Sequence, residues 1–249
     1  MLEMMGIPAE LRDKGALFVV SHSAGKDSQA MLIRLRQMGV PDSQMLIVHA
    51  DLGDVEWEGN LDHIKRYAGS IPVITAVAKT NFWDMVERRQ MFPSPSQRQC
   101  TSDLKRGPIN REVRRYLKEH PEFEGRVVMC MGLRAEESPA RARKQALTYS
   151  EANSKAGRSW WEWLPILDMT TEQVFDLIQG AEQEPHWAYG EGMTRLSCCF
   201  CIMASQADLT TAARLNPDLY RRYVETEKRI CHTLSMSQKP LEEITGIAA

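Results

Sequence analysis

The apolar positions of this chain fall into short continuous runs that alternate with longer amphipathic stretches. Residues 16–20 (Ala-Leu-Phe-Val-Val) form one such run, and residues 29–38 then carry apolar side chains at helical spacing. A short run predicts a buried strand, whereas a spacing of three or four residues predicts an amphipathic helix. Residues 45–50 form the next apolar run. The first fifty residues therefore predict a β-α-β unit with parallel strands.

The alternation continues along the chain. It predicts helices over 60–67, 81–89 and 108–117, with Asn81 as an N-cap and Pro108 in a first turn, and strands over 72–77 and 126–131. Later segments are helical, over 166–179 with Thr170 or Thr171 as N-cap, 206–215 and 217–234. We expect an α/β fold, with a Rossmann-like parallel sheet flanked by helices. The sheet domain is predicted over residues 1–205, and a small helical C-terminal extension over 206–249.

Composition limits the class of protein. The chain has 249 residues, 43% of them hydrophobic, which is enough to bury the core of one α/β domain. No apolar run approaches the roughly 18 residues of a membrane span, and residues 1–14 lack the apolar core of a secretory leader. Six cysteines are too few for a disulfide scaffold of this length. We therefore expect a cytoplasmic protein with reduced thiols.

Most of the candidate chemistry lies in the loop after the first predicted strand. Residues 21–28 (Ser-His-Ser-Ala-Gly-Lys-Asp-Ser) join a buried strand to a helix, which is where open α/β sheets bind anions. A Walker A loop is excluded, because Val20 stands where that pattern needs glycine and Asp27 follows the lysine. Small residues let the backbone approach a phosphate, Lys26 adds positive charge, and Asp27 is a ligand suited to Mg²⁺.

Five segments, in order, resemble a known family. Residues 23–28 (SAGKDS) are similar to the SGGKDS loop of the adenine nucleotide α-hydrolase, or PP-loop ATP pyrophosphatase, superfamily, with Ala24 where glycine is usual. Residues 49–53 (HADLG) resemble its HxDTG segment, and 100–108 (CTSDLKRGP) its cysteine and lysine segment. Residues 132–141 (GLRAEESPAR) resemble its GxRxxES…R loop, and 164–168 (LPILD) its NPI segment, although Asp168 departs from it. The chain thus resembles the phosphoadenosine phosphosulfate (PAPS) reductase-like branch, which implies a HUP-type fold.

The resemblance implies a site for ATP and Mg²⁺. Arginine forks clamp phosphate oxygens, and lysines add point charges that stabilise a pyrophosphate leaving group. The alternative for Arg134 is a surface ion pair with Glu136 or Glu137. The candidate catalytic residues are Lys26, Asp27, Lys105 and Arg134. The candidate nucleotide-binding residues are Ser21, Ser23, Ala24, Gly25, Lys26, Asp27, Ser28, Asp51, Gly53, Gly132, Arg134 and Arg141.

Three cysteines match the family's metal-binding positions. Cys198 and Cys201 form a CxxC pair and Cys100 lies upstream, but Thr101 stands where iron–sulfur relatives have another cysteine. Such thiolates suit a [4Fe-4S] cluster or Zn²⁺. A fourth ligand would be Cys199, Cys231 or His232, or one iron would stay open and carry sulfur. The alternatives are a redox-active CxxC pair or thiols packed as small apolar groups, as we expect for Cys130.

The charges are unevenly distributed, although the net charge is only −2. Residues 88–115 contain eight basic and two acidic side chains, and residues 134–158 contain six basic and three acidic ones. Either these stretches form a positive face for DNA or tRNA, on which Trp160, Trp161 and Trp163 would stack bases, or they are solvated helix surfaces around core tryptophans. Other candidate partners are a sulfur-donor protein and a second copy of the chain.

The function expected from these features is an ATP pyrophosphatase. Reductases of the resembled family attack sulfur with a cysteine in an ECGLH-type tail, and residues 241–249 (LEEITGIAA) contain no cysteine. We therefore expect cleavage of the α–β bond of ATP, adenylation of an acceptor and release of pyrophosphate, for sulfur transfer to nucleic acid or a small molecule. The alternatives are a sulfonucleotide reductase and a non-catalytic nucleotide-binding subunit of a larger complex.

Overall fold

The computed structural model describes residues 9–249 and contains a six-stranded sheet. The strands are β1 (Leu17–Ser21), β2 (Met45–Asp51), β3 (Val73–Val77), β4 (Arg126–Cys130), β5 (Leu147–Tyr149) and β6 (Ser159–Trp163), in the order β3-β2-β1-β4-β6-β5. β1 is parallel to β2 and β4, β4 is parallel to β6, and β5 is antiparallel to β6. The strand order reverses between β1 and β4. Ligands of open α/β sheets bind at the carboxyl ends of strands at such a point.

The described residues contain eleven α-helices besides these strands. They are α1 (Ala9–Asp13), α2 (Lys26–Gln37), α3 (Asn60–Ala68), α4 (Phe82–Arg89), α5 (Gln99–Thr101), α6 (Gly107–Glu119), α7 (Pro139–Ala142), α8 (Thr171–Gly180), α9 (Gln206–Leu215), α10 (Pro217–Ile230) and α11 (Leu241–Thr245). Asn81 accepts a hydrogen bond from Asp84 N, and Thr170 forms a capping box with Gln173. Both predicted N-caps are confirmed, as is the α/β fold class.

The segment around Pro108 differs from its prediction. α5, the π-helical residues Ser102–Arg106 and α6 follow one another without a break, so the helix begins at Gln99 and not at Pro108. In the π turn, Gly107 N donates to Ser102 O. A Cβ on Gly107 would lie 3.0 Å from that oxygen. Pro108 has no backbone N–H to donate to the preceding turn of the helix. The wider π turn lies directly before Pro108, which explains how the helix accommodates this proline.

The tryptophan-rich segment forms a strand that the sequence pattern did not predict. Trp160 and Trp163 in β6 are each 1% exposed, and the Trp163 ring packs edge-on against Phe18 of β1 at 6.0 Å. Trp161 is half-buried against Tyr149. The alternative that Trp160 and Trp163 stack on nucleic acid bases is therefore wrong, because their faces are enclosed by the core.

The described chain divides into two compact units that are not continuous in sequence. The first comprises residues 9–49, 61–75 and 109–185, and holds nearly all of the sheet; the second comprises Ala50–Asn60, Ala76–Pro108 and His186–Ala249, and is mainly helical. The second unit thus includes the predicted extension over 206–249 together with earlier segments. No helix among residues 9–249 is long and apolar enough to cross a membrane. The expectation about a leader falls partly on residues 1–8, which lie outside the described residues.

Candidate functional site

The phosphate loop connects β1 to α2 in the first unit. Gly25 is the N-cap of α2 and has no side chain to cap it, so the helix presents its first amide groups and the positive end of its dipole at the carboxyl end of β1. Lys26 begins the helix and is 3% exposed. Ser23 is exposed and Ser21 is half-buried. This arrangement suits an anionic ligand such as a phosphate.

Gly132 brings the end of β4 against the same loop. A Cβ on Gly132 would lie 3.0 Å from the backbone carbonyl of Asp27 and 3.2 Å from Ser28 N. No side chain fits in this space without displacing the start of α2. Two adjacent strand ends therefore pack backbone against backbone at Gly132, and its nucleotide-binding role stays a prediction.

Arg134 binds the carboxylate of the phosphate loop. Its Nε donates to Asp27 Oδ1 at 2.7 Å, and Lys26 Nζ lies 3.3 Å from Asp27 Oδ2. The guanidinium also pairs with Glu136 and lies 3.4 Å from the Met169 carbonyl oxygen. The ion pair with Glu136, which was the alternative, is present, but Arg134 is 3% exposed and also binds Asp27, so it is more than a surface pair. Three predicted site residues, Lys26, Asp27 and Arg134, are therefore brought together.

The loop after Arg134 is braced by its acids. Glu137 accepts from Arg134 N at 3.0 Å and pairs with Arg141, while Glu136 accepts from Thr171 N at 2.7 Å. Hydrogen bonds from Arg134 and Thr171 hold the pKa of Glu136 below its usual value. These contacts fix the loop against the start of α8. Arg141 is half-buried, and its nucleotide-binding role stays a prediction.

Hydrogen bonds inside the phosphate loop converge on two buried side chains. Ser28 Oγ donates to Gly25 O at 2.8 Å and accepts from Ser23 N at 3.2 Å. His22 Nδ1 accepts from Ala24 N at 3.1 Å. Burial, followed by the neighbouring His63 and His49, lowers the pKa of His22 to about 3. The imidazole is therefore neutral at physiological pH.

The second unit contains residues 50–53 of the predicted adenine and ribose segment. Asp51 Oδ1 accepts from Gly53 N at 2.8 Å, and Gly53 has a φ of +68°, which favours glycine. Cys199 N donates to Val55 O at 2.9 Å, so the segment is tied to the CxxC loop within this unit. The nucleotide-binding roles of Asp51 and Gly53 stay predictions.

A group of thiols lies in the same unit, around Lys105 of the π turn. Charge interactions, first with Cys198 and then with Cys201, Glu56 and Cys100, raise the pKa of Lys105 against the effect of its burial. Burial raises the pKa of Cys198 to about 11, and also raises that of Cys100. The three predicted thiols thus interact electrostatically with one lysine, whose raised pKa favours its charged form.

The candidates for a fourth ligand have different environments. Cys199 is 1% exposed, whereas Cys231 is exposed at the C-cap of α10 and His232 Nδ1 accepts from Phe92 N at 3.4 Å. Among residues 9–249, no three His, Cys, Asp or Glu side chains are arranged to hold a metal ion. All six cysteines are free thiols, and Cys130 is fully buried in β4, as predicted.

Tyr223 adds a feature of the thiol group that sequence reasoning missed. Its ring packs among Trp83, Phe92 and Phe200 and is fully buried, and its hydroxyl has no hydrogen-bond partner in the part of the chain that the structure describes. Burial raises the pKa of Tyr223, and Cys198, Cys199 and Cys201 contribute further. Nothing in the local sequence marks this tyrosine, because its position depends on the packing of α10.

Several basic side chains of the two basic stretches are buried or form ion pairs with acidic side chains. Arg134 is buried, and Arg111 and Arg115 both pair with Glu112, whose side chain is 8% exposed. These pairs reduce the positive potential that the sequence count suggests. A nucleic acid partner stays a prediction.

Comparisons with known proteins identify relatives of the chain. A sequence model of the phosphoadenosine phosphosulfate reductase domain matches residues 17–204. An uncharacterized protein of Methanocaldococcus jannaschii is 27% identical over 219 residues, covering 88% of this chain and 49% of the relative. An uncharacterized 37.8 kDa protein of Escherichia phage 186 is 31% identical over 150 residues, covering 60% of this chain and 43% of the relative. The chain spans about half the length of these relatives or less.

Two solved structures are similar to the chain over part of its length. The FMN adenylyltransferase of Candida glabrata in complex with ATP has a TM-score of 0.47 at 14% identity, covering 75% of this chain and 53% of that one. The phosphoadenylyl-sulfate reductase of Candida auris has a TM-score of 0.43 at 13% identity, covering 72% of this chain and 80% of that one.

Proposed function

The chain belongs to the phosphoadenosine phosphosulfate reductase domain family, and we propose that within it this protein is a PP-loop ATP pyrophosphatase. It binds ATP with Mg²⁺, cleaves the α–β phosphate bond, adenylates an acceptor and releases pyrophosphate. The observation that carries the proposal is the phosphate loop at the β1–β4 reversal. There the uncapped start of α2 and buried Lys26 lie beside the Asp27–Arg134 pair.

The proposed reaction is a substitution at the α-phosphorus. An oxygen or nitrogen of the acceptor attacks that atom, the bond to the bridging oxygen breaks, and pyrophosphate leaves with the electron pair. The proton of the acceptor passes to solvent. Lys26 and the amides at the start of α2 stabilise the negative charge that develops on the leaving group. Arg134 orients Asp27, whose carboxylate is a suitable ligand for nucleotide-bound Mg²⁺.

The adenylated acceptor is a good substrate for sulfur transfer, because a sulfur nucleophile displaces AMP from it. We propose that this is the purpose of the reaction, with nucleic acid or a small molecule as acceptor and a sulfur-donor protein as partner. Membership in a sulfonucleotide-reductase family supports sulfur chemistry. A cytoplasmic location suits six free thiols, and assembly into a homo-oligomer is also proposed.

A labelled-nucleotide experiment tests the reaction. The protein is incubated with Mg²⁺ and ATP labelled at the α-phosphate, and the products are separated. AMP or an adenylated acceptor, together with pyrophosphate, supports α–β cleavage, whereas ADP contradicts it. Lys26→Met should lose most of this turnover, and Lys14→Met is the matched control because Lys14 is exposed on the surface after α1. Equal turnover by both variants would exclude the proposed role of the loop.

Two other functions give different products. A sulfonucleotide reductase releases sulfite from an adenylyl sulfate when a thiol reductant is supplied, and the family name favours testing it. A non-catalytic nucleotide-binding subunit binds ATP with neither product. Measuring pyrophosphate, sulfite and ATP binding on one preparation therefore separates the three functions.

We propose in addition that Cys100, Cys198 and Cys201 hold a [4Fe-4S] cluster, with Zn²⁺ as the alternative. The three cysteine thiols are donors of the right chemical kind, and they interact electrostatically with one another. Lys105 supplies the opposing positive charge. The Tyr223 hydroxyl, which has no hydrogen-bond partner among the described residues, also interacts with this group. Such a group would supply electrons or carry sulfur when bound.

Metal analysis after anaerobic purification tests this proposal. Cys201→Ser should lose bound iron and labile sulfide, or zinc, whereas Cys130→Ala should keep them, because Cys130 lies in the core of β4. Cys199→Ser, Cys231→Ser and His232→Ala identify the fourth ligand. A Cys201→Ser variant with full metal content would remove the assignment.

A further inference from the structure

The phosphate loop contains a buried residue in an unfavourable backbone conformation. Ala24 has a φ of +62° and is fully buried. This left-handed region favours glycine, because a Cβ crowds the following carbonyl oxygen. Ala24 stands between the end of β1 and the start of α2, so any relaxation of its conformation moves the loop that is proposed to bind phosphate. Something in the structure must therefore hold this residue in place.

The Ala24 amide has a specific partner inside the loop. It donates to His22 Nδ1 at 3.1 Å, and Ser28 Oγ lies 3.3 Å from the same nitrogen. Because the amide carries the hydrogen, Nδ1 must present a lone pair, which places the ring proton on Nε2. The His22 imidazole therefore accepts a hydrogen bond from the amide two residues later, and this bond stabilises the left-handed conformation of Ala24.

Residue His22 is itself held from β2 through its backbone. Its backbone N donates to Val48 O at 3.0 Å, and its carbonyl oxygen lies 3.0 Å from His49 Nδ1. His22 is 3% exposed, and the titratable groups that face it are His49 and His63. The backbone contacts and the burial of His22 therefore fix the position of the residue that supplies the acceptor.

We propose that His22 is a positioning residue that holds the phosphate loop in its anion-binding conformation, by accepting the Ala24 amide hydrogen bond on Nδ1. It compensates for a Cβ at a position that favours glycine. The inference rests on the proposed function in so far as the loop binds ATP. The hydrogen bond itself is independent of that function.

Substitutions that keep or remove the acceptor test the proposal. Binding of ATP with Mg²⁺ is measured by calorimetry at pH 7.5. His22→Phe keeps the size of the ring without an acceptor and should weaken binding about tenfold, which is the loss of one buried hydrogen bond. His22→Asn places an amide oxygen close to the position of Nδ1 and should bind within about threefold of the native protein. His22→Gln, whose oxygen lies one bond further out, should resemble His22→Phe.

A second-site change tests the link to backbone strain. Ala24→Gly introduced into His22→Phe should restore most of the lost affinity, because glycine adopts the left-handed conformation without support. Native affinity in His22→Phe, equal weakening by His22→Asn and His22→Phe, or no rescue by Ala24→Gly would each overturn the proposal.

Nuclear magnetic resonance on histidine-labelled native protein gives an answer that does not need nucleotide or a folded variant. The expected result is a neutral His22 ring with its proton on Nε2 and an Ala24 amide protected from hydrogen exchange. A proton on Nδ1, or an unprotected Ala24 amide, would overturn the proposal. If the native protein shows this signature but does not bind ATP, the proposed function fails while the positioning role of His22 stands.

Discussion

Replacing Gly132 by alanine probes the contact between the end of β4 and the phosphate loop. The new methyl group would lie 3.0 Å from the Asp27 carbonyl carbon and oxygen and 3.2 Å from Ser28 N, where ordinary contacts are longer. These are backbone atoms at the start of α2, so they can yield only if the helix start shifts by a few tenths of an ångström. Overpacking of this kind costs about 1–3 kcal/mol. For a chain of this size that lowers Tm by roughly 2–12 °C.

The matched control is Gly180→Ala at the end of α8. A Cβ there meets no atom outside its own helix within 4 Å, and alanine has the higher helix propensity, so stability should stay equal or rise by up to about 1 kcal/mol. Thermal unfolding measures both variants. ATP affinity should fall only in Gly132→Ala, since moving Asp27 disturbs its 2.7 Å contact with Arg134. If the two variants are equally stable and bind ATP equally, the close approach of Gly132 does not constrain the loop.

Three further predictions concern polar side chains. Because burial and two neighbouring histidines lower the pKa of His22 to about 3, the unfolded chain binds a proton that the folded chain excludes. Stability should fall as pH decreases below about 6.5, by about 2 kcal/mol at pH 5. Urea unfolding at pH 7 and pH 5 should show a smaller loss in His22→Asn, and an equal loss would contradict the assignment. Thr170→Ala should cost about 1 kcal/mol by removing the N-cap of α8, whereas Thr170→Ser should not. In metal-free protein Tyr223→Phe should leave urea stability unchanged or higher, since the hydroxyl has no partner among the described residues; a loss above about 1 kcal/mol would reveal a hidden partner.

Periodicity and local caps predicted the elements that depend on nearby residues. β1, β2 and α2 follow from apolar runs and helical spacing, and Asn81 and Thr170 cap helices through bonds to residues three positions away. Such interactions involve residues of a single segment, so the amino-acid sequence is enough to predict where these strands and helices form. The resemblance of residues 23–28 and 132–141 likewise pointed to two loops that the fold brings into contact through Asp27 and Arg134.

Other features depend on how distant segments meet. The strand at Ser159–Trp163 forms by pairing with β4, and the burial of Trp160 and Trp163 follows from that position in the sheet. The π turn before Pro108 depends on how a helix accommodates proline, which propensity alone does not resolve.

Within the candidate sites, the sequence supplied residue types and the tertiary structure supplied their partners. Arg134 meets Asp27, 107 positions earlier in the chain, only because β1 and β4 are neighbours in the sheet. The orphaned hydroxyl of Tyr223 near the thiols follows from the packing of α10. Local rules act over a few residues, whereas burial and ion pairing depend on distances in space. The amino-acid order therefore determined the elements and the chemistry available, and only the fold decided which charges are paired, which glycine is required and which histidine accepts a hydrogen bond from the phosphate loop's own backbone.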